Sequence, residues 1–279
     1  MQISRRAVLL GGLGLGSLGA TGLNGAYAFE INHHVYALPG LQSPIRAVQL
    51  TDLHYGPFHR AAAVRAWMET ALTLRPDLVL ITGDFADRHL LDAPGPLFQE
   101  LSRLRAPLGV WGVWGNHDHD YCHREAQKTG RDPQQARDAF TVALKNAGIG
   151  LLRNGGLPLR DDLYLAGVDD LRKGDPQLTP ALMGAPTQGA VLLMSHNPDL
   201  LPTVPSRVSL TLCGHTHGGQ VRLPGIGAPV PASRFGQRFV QGFVQGPAPG
   251  FVSRGLGTTG IPVRLHCPAE LVVFDFVPG

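Results

Sequence analysis

Net charge, cysteine and aromatic side chains are all scarce in this 279-residue chain. Its 24 Lys and Arg residues are nearly balanced by 21 Asp and Glu residues, so charge alone does not support binding to nucleic acid or to an anionic membrane. The three cysteines, Cys122, Cys213 and Cys267, show no CxxC spacing, so neither a disulfide framework nor a thiolate zinc site is indicated. We therefore expect no nucleic-acid partner.

Glycine, proline and histidine are plentiful by contrast. The 36 glycines and 23 prolines indicate many tight loops between short elements, which favours an α/β enzyme over a helical bundle. Hydrophobic residues make up 43% of the chain, which excludes disorder and is enough for one large core or two modest ones. The 12 histidines are unusual and direct attention to metal or acid–base chemistry.

Residues 1–28 are typical of an export signal. Arg5 and Arg6 are the only charged residues before Glu30. The uncharged stretch from Arg6 to Glu30 is rich in glycine. The paired arginines in SRRAVLL resemble the bacterial twin-arginine signal, and AYA at 26–28 supplies a small-x-small cleavage site. The alternative is an uncleaved membrane anchor, because the uncharged stretch is long enough to span a bilayer.

This signal predicts the location and the organisation of the chain. We expect the twin-arginine machinery to export the protein to the periplasm or to the outer face of the cytoplasmic membrane, with membrane association if the leader is retained. Residues 29–44 are predicted to form a linker. Residues 45–279 show no repeat and no clear internal boundary, and are predicted to form one domain.

Apolar runs alternate with helical patterns in the first part of that domain. Predicted strands at 45–50, 77–82, 108–114 and 149–152 are separated by single helices, which implies a parallel sheet. The clearest helix is capped by Asp132 and ends at Gly148. Later strand-like segments with little helix between them predict a second, mixed or antiparallel sheet; they are 163–168, 191–194, 208–212, 251–254 and 271–276. The expected fold is α/β, with two sheets face to face and helices outside.

Polar clusters follow five of these strands. They are Asp52-Leu53-His54, Gly83-Asp84, Gly115-Asn116-His117-Asp118, Ser195-His196-Asn197 and Gly214-His215-Thr216-His217. Asp52, Asp84 and Asn116 are spaced by about one strand-helix-strand unit, so neighbouring parallel strands bring them to one rim of the sheet. Within DLH and HTH, an extended backbone would point the outer two side chains to the same side.

These clusters supply a complete set of candidate metal ligands. The seven side chains are Asp52, His54, Asp84, Asn116, His196, His215 and His217. Carboxylate, amide oxygen and imidazole without thiolate suit Mn, Fe or Zn rather than Ca or Mg. Seven ligands are too many for one tetrahedral ion and suit two ions that share a carboxylate.

The ordered set DxH, GD, GNHD, H and GHTH resembles the calcineurin-like metallophosphoesterases over residues 46–220. The resemblance implies an α/β/β/α fold and hydrolysis of phosphoric esters by a hydroxide that bridges two metal ions. The implied ligands of the first ion are Asp52, His54, Asp84 and His217. Those of the second ion are Asp84, Asn116, His196 and His215.

The resemblance also implies roles for two residues that are not ligands. His117 would bind the phosphoryl group and protonate the leaving oxygen, and Asp118 would orient His117. The twin-arginine leader together with GHTHGGQ and RGLGTTG resembles an exported bacterial subgroup. Arg254, in the Gly-rich segment 254–260, is a candidate for substrate binding because backbone amides and one cation can approach a phosphate there. The polar stretch 121–131 is a candidate lid.

Several alternatives stay open from the sequence alone. Taken singly, an Asp at a strand end commonly caps a helix, and a buried His is more often hydrogen-bonded than metal-bound. A non-catalytic metal-binding envelope protein would need the same seven ligands, although it gives no role to His117. Candidate substrates are a cell-envelope phosphomonoester or phosphodiester and a lipid-linked pyrophosphate of the UDP-2,3-diacylglucosamine type.

Overall fold

A computed structural model describes residues 25–279. The paired arginines of the predicted export signal, Arg5 and Arg6, lie outside the described residues. Within the predicted cleavage site, Ala26 is buried and the ring of Tyr27 lies 5.5 Å from the ring of His59. Export and the choice between cleavage and anchoring therefore stay predictions.

Short helices and strands alternate along the described residues. The helices are α1 (Ala61–Thr73), α2 (Gly95–Leu101), α3 (Asn116–Thr129), α4 (Pro133–Asn146) and α5 (Leu178–Leu182). The strands are β1 (Phe29–Leu38), β2 (Ile45–Leu50), β3 (Leu78–Ile81), β4 (Val110–Gly112), β5 (Gly150–Leu151), β6 (Gly155–Arg160), β7 (Leu163–Gly167), β8 (Ala190–Met194), β9 (Leu210–Cys213), β10 (Gly242–Gln245), β11 (Pro249–Val252) and β12 (Ala269–Pro278). Over residues 25–279, none of the helices has the length and apolar character that crossing a membrane requires.

Two mixed sheets of six strands each carry the fold. In the first, the order is β1-β12-β2-β3-β4-β5, and β2 to β5 run parallel. In the second, the order is β10-β11-β9-β8-β7-β6; the inner four strands run parallel and the two edge strands antiparallel to them. The predicted two-sheet α/β fold is confirmed, and the second sheet is the mixed one of the two predicted possibilities.

Side-chain alternation along the strands explains why the sheets stack. On β3, Leu78 and Leu80 join the core between the sheets, whereas Val79 and Ile81 pack under the helices of the outer layer. Because both faces of such a strand are buried, its sequence is a continuous run of apolar residues. On α1, the buried face consists of Val64, Trp67, Met68 and Ala71.

The linker predicted for 29–44 is wrong for Phe29–Leu38. These residues form β1, which pairs in parallel with β12 at the edge of the first sheet. The strand was hidden because its inward positions are His34 and Tyr36, whose rings pack against Phe243 and other aromatic residues. The pairing partner is also at the opposite end of the chain, where no local pattern reveals it.

The predicted lid is also wrong. Residues 121–129 are the second half of α3, which ends at Gly130 in the left-handed conformation. Tyr121, Cys122 and Ala126 are buried on its inner face. The segment therefore belongs to the helical layer and fixes the position of Asn116 and His117 in the first turn of α3.

Candidate metal centre

All five polar clusters lie where the parallel strands end. The loops after β2, β3 and β4 in the first sheet meet the loops after β8 and β9 in the second sheet. This is the rim at which open α/β sheets place their functional groups. All seven predicted ligands are buried there.

The first group of ligand atoms is closely packed. His54 Nε2 lies 3.0 Å from His217 Nε2 and 3.4 Å from Asp84 Oδ2. His217 Nε2 lies 3.3 Å from Asp52 Oδ1. Distances near 3 Å between neighbouring donor atoms are those expected around one ion with ligands at about 2.0–2.2 Å. Asp52, His54 and His217 are thus a group able to hold a metal ion.

The second group adjoins the first through Asp84. Its Oδ2 atom, 3.4 Å from His54 Nε2, is also 3.2 Å from His196 Nε2. His196 Nε2 in turn lies 3.2 Å from His215 Nδ1. Asn116, in the first turn of α3, has a buried Oδ1 with no hydrogen-bond partner among the described residues. One carboxylate oxygen therefore faces ligands on both sides.

The chemistry of these donors fits metal ions. His196 Nδ1 donates to the carbonyl oxygen of Thr82 at 2.8 Å, which leaves Nε2 as the nitrogen that faces the site and that would ligate a metal ion. His215 Nδ1 faces this nitrogen, and the orphaned Asn116 Oδ1 is an acceptor. Acceptors that converge in a buried site require a cation, and this mixture of imidazole, carboxylate and amide suits Mn, Fe or Zn.

The backbone at the ligands differs from the extended conformation expected for DLH and HTH. Five ligands have positive φ: Asp52 (53°), His54 (45°), Asp84 (54°), His215 (73°) and His217 (52°). Such left-handed conformations cost about 1–3 kcal/mol each in non-Gly residues and persist only where the surroundings impose them. Here Asp52 N donates to the carbonyl of Gly83 and His54 N to that of Asp84, both at 3.0 Å. The loops hold one another in place.

Glycine precedes three of the ligands for a steric reason. A Cβ atom at Gly214 would lie 2.1 Å from Thr51 Oγ1 and 2.4 Å from Asp52 Oδ2. At Gly115 it would lie 2.1 Å from Asp84 Oδ1. The glycines of the GN and GH dipeptides therefore allow the backbone to contact the ligand carboxylates, and Gly83 of the GD dipeptide leaves room for His196, whose Nδ1 would lie 2.6 Å from a Cβ there.

Gly214→Ala should displace the Asp52 carboxylate and weaken metal binding by at least about tenfold, as loss of ligand support usually does. Isothermal titration of the metal-free protein with Mn²⁺ or Zn²⁺ measures this. Gly155→Ala is the matched control, because nothing lies within 4 Å of a Cβ at that position. Equal affinities in the two variants would contradict the steric argument.

His117 is held by a neighbour that the sequence interpretation missed. Its Nδ1 accepts a hydrogen bond from Arg88 N at 3.3 Å and lies 3.5 Å from Asp87 Oδ2. The same Oδ2 atom lies 3.2 Å from His54 Nδ1. Asp87 thus links a metal ligand to His117, and these imidazoles hold the pKa of its carboxyl well below the usual range despite burial. A single Asp three residues after the GD dipeptide carried no distinctive signal.

The prediction that Asp118 orients His117 is wrong. The Asp118 carboxylate accepts hydrogen bonds from Gly115 N at 2.9 Å and Ala86 N at 3.0 Å. It therefore caps the N-terminus of α3, as acidic residues commonly do. Burial and the charge of Asp84 raise the pKa of Asp118 to about 7.

Arg254 is tied to carboxylates in this structure. Its Nη2 lies 2.8 Å from Glu270 Oε2 and 3.1 Å from Glu30 Oε2, so it fastens its loop to β12 and β1. The amides of Leu256 and Gly257 donate to the carbonyls of Thr51 and Asp52. The Gly-rich segment thus supports the first ligand loop, and substrate binding by Arg254 stays a prediction.

Arg264 is a second supporting residue that the sequence did not reveal. Its buried Nη2 donates to the carbonyls of Arg254, Gly255 and Gly257 at 2.8, 3.1 and 2.7 Å, and lies 3.4 Å from His217 Nδ1. Burial lowers its pKa to about 10. One arginine therefore joins the Gly-rich segment to the GHTH loop.

Protonation of the ligand histidines predicts a pH dependence for metal binding. Burial opposes a charge on His54 and His196, but nearby carboxylates outweigh it and raise the pKa of each to about 10. These carboxylates are Asp52, Asp87 and Asp84 for His54, and Asp84, Asp52 and Asp170 for His196. Burial lowers the pKa of His215 to about 3 and that of His217 to about 4. At pH 7.5, His54 and His196 are therefore positively charged in the metal-free site, and each carries one proton more than a neutral imidazole.

Metal binding at pH 7.5 should release about two protons, because ligating imidazoles are neutral. The apparent affinity should rise by about tenfold per pH unit for each proton displaced, and level off near pH 10. Titration calorimetry in two buffers of different ionisation enthalpy measures the released protons. An affinity that does not change between pH 7 and pH 9 would contradict this assignment of charge.

Comparison with known proteins identifies the family. Residues 45–219 match the profile of the calcineurin-like phosphoesterases. The chain belongs to this family. It is 30% identical to the metallophosphoesterase YkuE of Bacillus subtilis over 292 aligned residues, which cover 98% of this chain and 97% of that protein. It is 28% identical to the phosphodiesterase YaeI of Escherichia coli, over 88% of this chain and 87% of that protein.

A further relative is the UDP-2,3-diacylglucosamine pyrophosphatase LpxG of Chlamydia trachomatis. It is 27% identical over 224 residues, which cover 64% of this chain and 65% of that protein. The predicted membership of the metallophosphoesterase family is confirmed. This metallophosphoesterase is a hydrolase of phosphoric ester bonds, with residue groups able to hold metal.

Proposed function

We propose that this metallophosphoesterase uses two metal ions to hydrolyse a phosphodiester or pyrophosphate bond in the cell envelope. The observation that carries the proposal is the position of Asp84 Oδ2, which faces His54 Nε2 at 3.4 Å and His196 Nε2 at 3.2 Å. A carboxylate with imidazoles on both sides is suited to bridge two ions. Mn, Fe or Zn fits the donors on each side.

Each ligand group has a distinct place in the proposed centre. Asp52, His54 and His217 would hold the first ion together with Asp84, and Asn116, His196 and His215 would complete the second position. Ions bound there would supply an activated water and offset the negative charge of the phosphoryl group in the transition state. The surrounding loops exclude bulk water, because all seven ligands are buried.

His117 is suited to assist the leaving group. Because Arg88 N donates to Nδ1 at 3.3 Å, the ring hydrogen resides on Nε2. That atom lies 3.5 Å from Thr259 Oγ1, on the side of the Gly-rich segment. Proton donation requires the form of the ring that carries a hydrogen on both nitrogens, and Asp87 Oδ2, 3.5 Å from Nδ1, is placed to accept the Nδ1 hydrogen of that form in place of the Arg88 N contact. From that form, His117 can donate the Nε2 proton to the departing oxygen and return to the neutral ring.

The substrate is proposed on the basis of relatives and location. One relative is named as a phosphodiesterase and another as a UDP-2,3-diacylglucosamine pyrophosphatase, and these names favour a diester or a pyrophosphate. The proposed twin-arginine export favours a substrate outside the cytoplasm, such as a cell-wall or lipid-linked phosphate ester. Fractionation of cells that express the chain with Arg5→Lys and Arg6→Lys tests export; unchanged delivery to the envelope would contradict it.

Activity measurements with metal-reconstituted protein test the function. p-Nitrophenyl phosphate, bis(p-nitrophenyl) phosphate and a nucleoside diphosphate ester represent the monoester, diester and pyrophosphate classes. Turnover of the second or third substrate that is lost with chelator and restored by Mn²⁺ or Zn²⁺ supports the proposal. Tight metal binding without turnover of any of them would favour a non-catalytic metal-binding protein instead.

A further inference from the structure

A cavity of about 480 Å³ opens beside the second ligand group. His215, Arg172 and Arg234 contribute to its wall, together with Asp199 and Ser233. His215 is shared, since its Nδ1 faces His196 in the metal centre while the other edge of its ring lines the cavity. A group bound in this cavity therefore lies directly beside the proposed reaction centre.

Two hydrogen-bond donors converge on this cavity. Arg172 Nη1 lies 3.4 Å from His215 Nε2. When His215 Nδ1 ligates a metal ion, Nε2 carries the ring hydrogen, and a guanidinium has only donors. The two groups then cannot satisfy each other, and Arg172 is exposed, so both can donate to an acceptor in the cavity. An anionic oxygen satisfies both and offsets the arginine charge.

The backbone of Arg172 is held in place by a buried carboxylate. Asp170 Oδ2 accepts hydrogen bonds from Arg172 N at 2.8 Å and from Lys173 N at 2.7 Å. The next cation, Lys173, is directed to Asp120, with Nζ 2.9 Å from Oδ1. Of these two cations, Arg172 lines the cavity and Lys173 does not.

The one carboxylate among the cavity residues named above is already neutralised. Asp199 accepts hydrogen bonds from Ser233 Oγ at 2.5 Å and from Arg234 N at 3.0 Å, and its Oδ2 is 3.4 Å from Arg234 Nε. The cavity wall thus carries two arginines, Arg172 and Arg234, against the single carboxylate of Asp199, and this balance of charge favours an anion.

We propose that this cavity binds a second phosphoryl group of the substrate, next to the one that is hydrolysed. Arg172 and His215 Nε2 hold its oxygens, and Arg234 adds positive charge at the rim. The enzyme therefore prefers esters with two neighbouring phosphoryl groups, as in a nucleoside diphosphate ester, over esters with one. This inference rests on the proposed phosphoesterase function and selects among its substrate classes.

The test compares two nucleoside esters that differ in phosphoryl groups. Thymidine 5′-(p-nitrophenyl phosphate) has one, and UDP-glucose has two. Arg172→Gln should raise KM for UDP-glucose at least about tenfold, because it removes charged hydrogen bonds, and change kcat/KM for the thymidine ester less than about threefold. Arg172→Lys should recover part of the loss. Lys173→Gln is the matched control and should change neither value.

The outcomes separate the two proposals. If the wild-type enzyme hydrolyses the thymidine ester but not UDP-glucose, or if Arg172→Gln affects both substrates equally, the cavity assignment is overturned and the phosphoesterase proposal stands. If the reconstituted enzyme hydrolyses neither ester, the proposed function fails and the cavity assignment fails with it. Metal content of the Arg172→Gln protein, which should equal that of the wild type, shows that His215 stays in place.

Discussion

Asp84→Ala should lower kcat for a phosphodiester by about three orders of magnitude or more. It should also lower the metal content of the purified protein below two ions per chain. The reason is that Asp84 Oδ2 faces His54 and His196 at 3.4 and 3.2 Å, so one substitution removes a ligand from both positions. Steady-state kinetics with bis(p-nitrophenyl) phosphate and elemental analysis of the purified variant measure the two effects.

Asp92→Ala is the matched control for Asp84→Ala. Asp92 forms an exposed ion pair with Arg60, and exposed pairs contribute at most about 1 kcal/mol to stability. The control should keep wild-type kinetics and metal content. An Asp84→Ala protein that binds two ions with unchanged affinity would contradict the shared-ligand assignment, whatever its rate.

His117→Ala should lower kcat by about 10²–10⁴-fold for an alkyl phosphodiester and leave the metal content unchanged, because His117 is assigned to proton transfer and not to ligation. The loss should be much smaller for a p-nitrophenyl ester, whose leaving group departs without protonation. Kinetics with both classes of ester, together with elemental analysis, separate an acid from a ligand.

His123→Ala provides the control on the same helix. His123 is exposed on α3 and contacts Gln127, so its replacement should alter neither substrate's kinetics. Equal losses for both leaving groups in His117→Ala would contradict proton donation. A loss of metal in that variant would instead assign His117, which lies with His54 and Asp87 in one group of possible ligands, to metal binding.

The ligand set was predictable because its information is local. Each ligand follows an apolar run, and parallel strands bring such positions to one rim, so seven residues far apart in the chain could be grouped before any coordinates. The α4 helix was equally accessible, since Asp132 caps it through Gln134 N as its sequence indicates. Such features depend on short motifs with their own physical cause.

Features that depend on long-range contacts were not predictable. β1 pairs with β12, which lies near the other end of the chain. Asp87 contacts two histidines, His54 and His117, and Arg264 donates hydrogen bonds to the carbonyl oxygens of the Gly-rich segment. The left-handed backbone of Asp52 and the other ligands is imposed by neighbouring loops and opposes local preference. Local rules therefore failed where the site itself is assembled, as expected of strained functional sites.

Anomalous diffraction from crystals of the Mn²⁺- or Zn²⁺-loaded protein tests the central assignment most directly. We expect two peaks at roughly 3.5–4 Å separation, with Asp84 in contact with both. One peak should contact Asp52, His54 and His217, and the other Asn116, His196 and His215. A single peak, or two peaks that do not share Asp84, would contradict it.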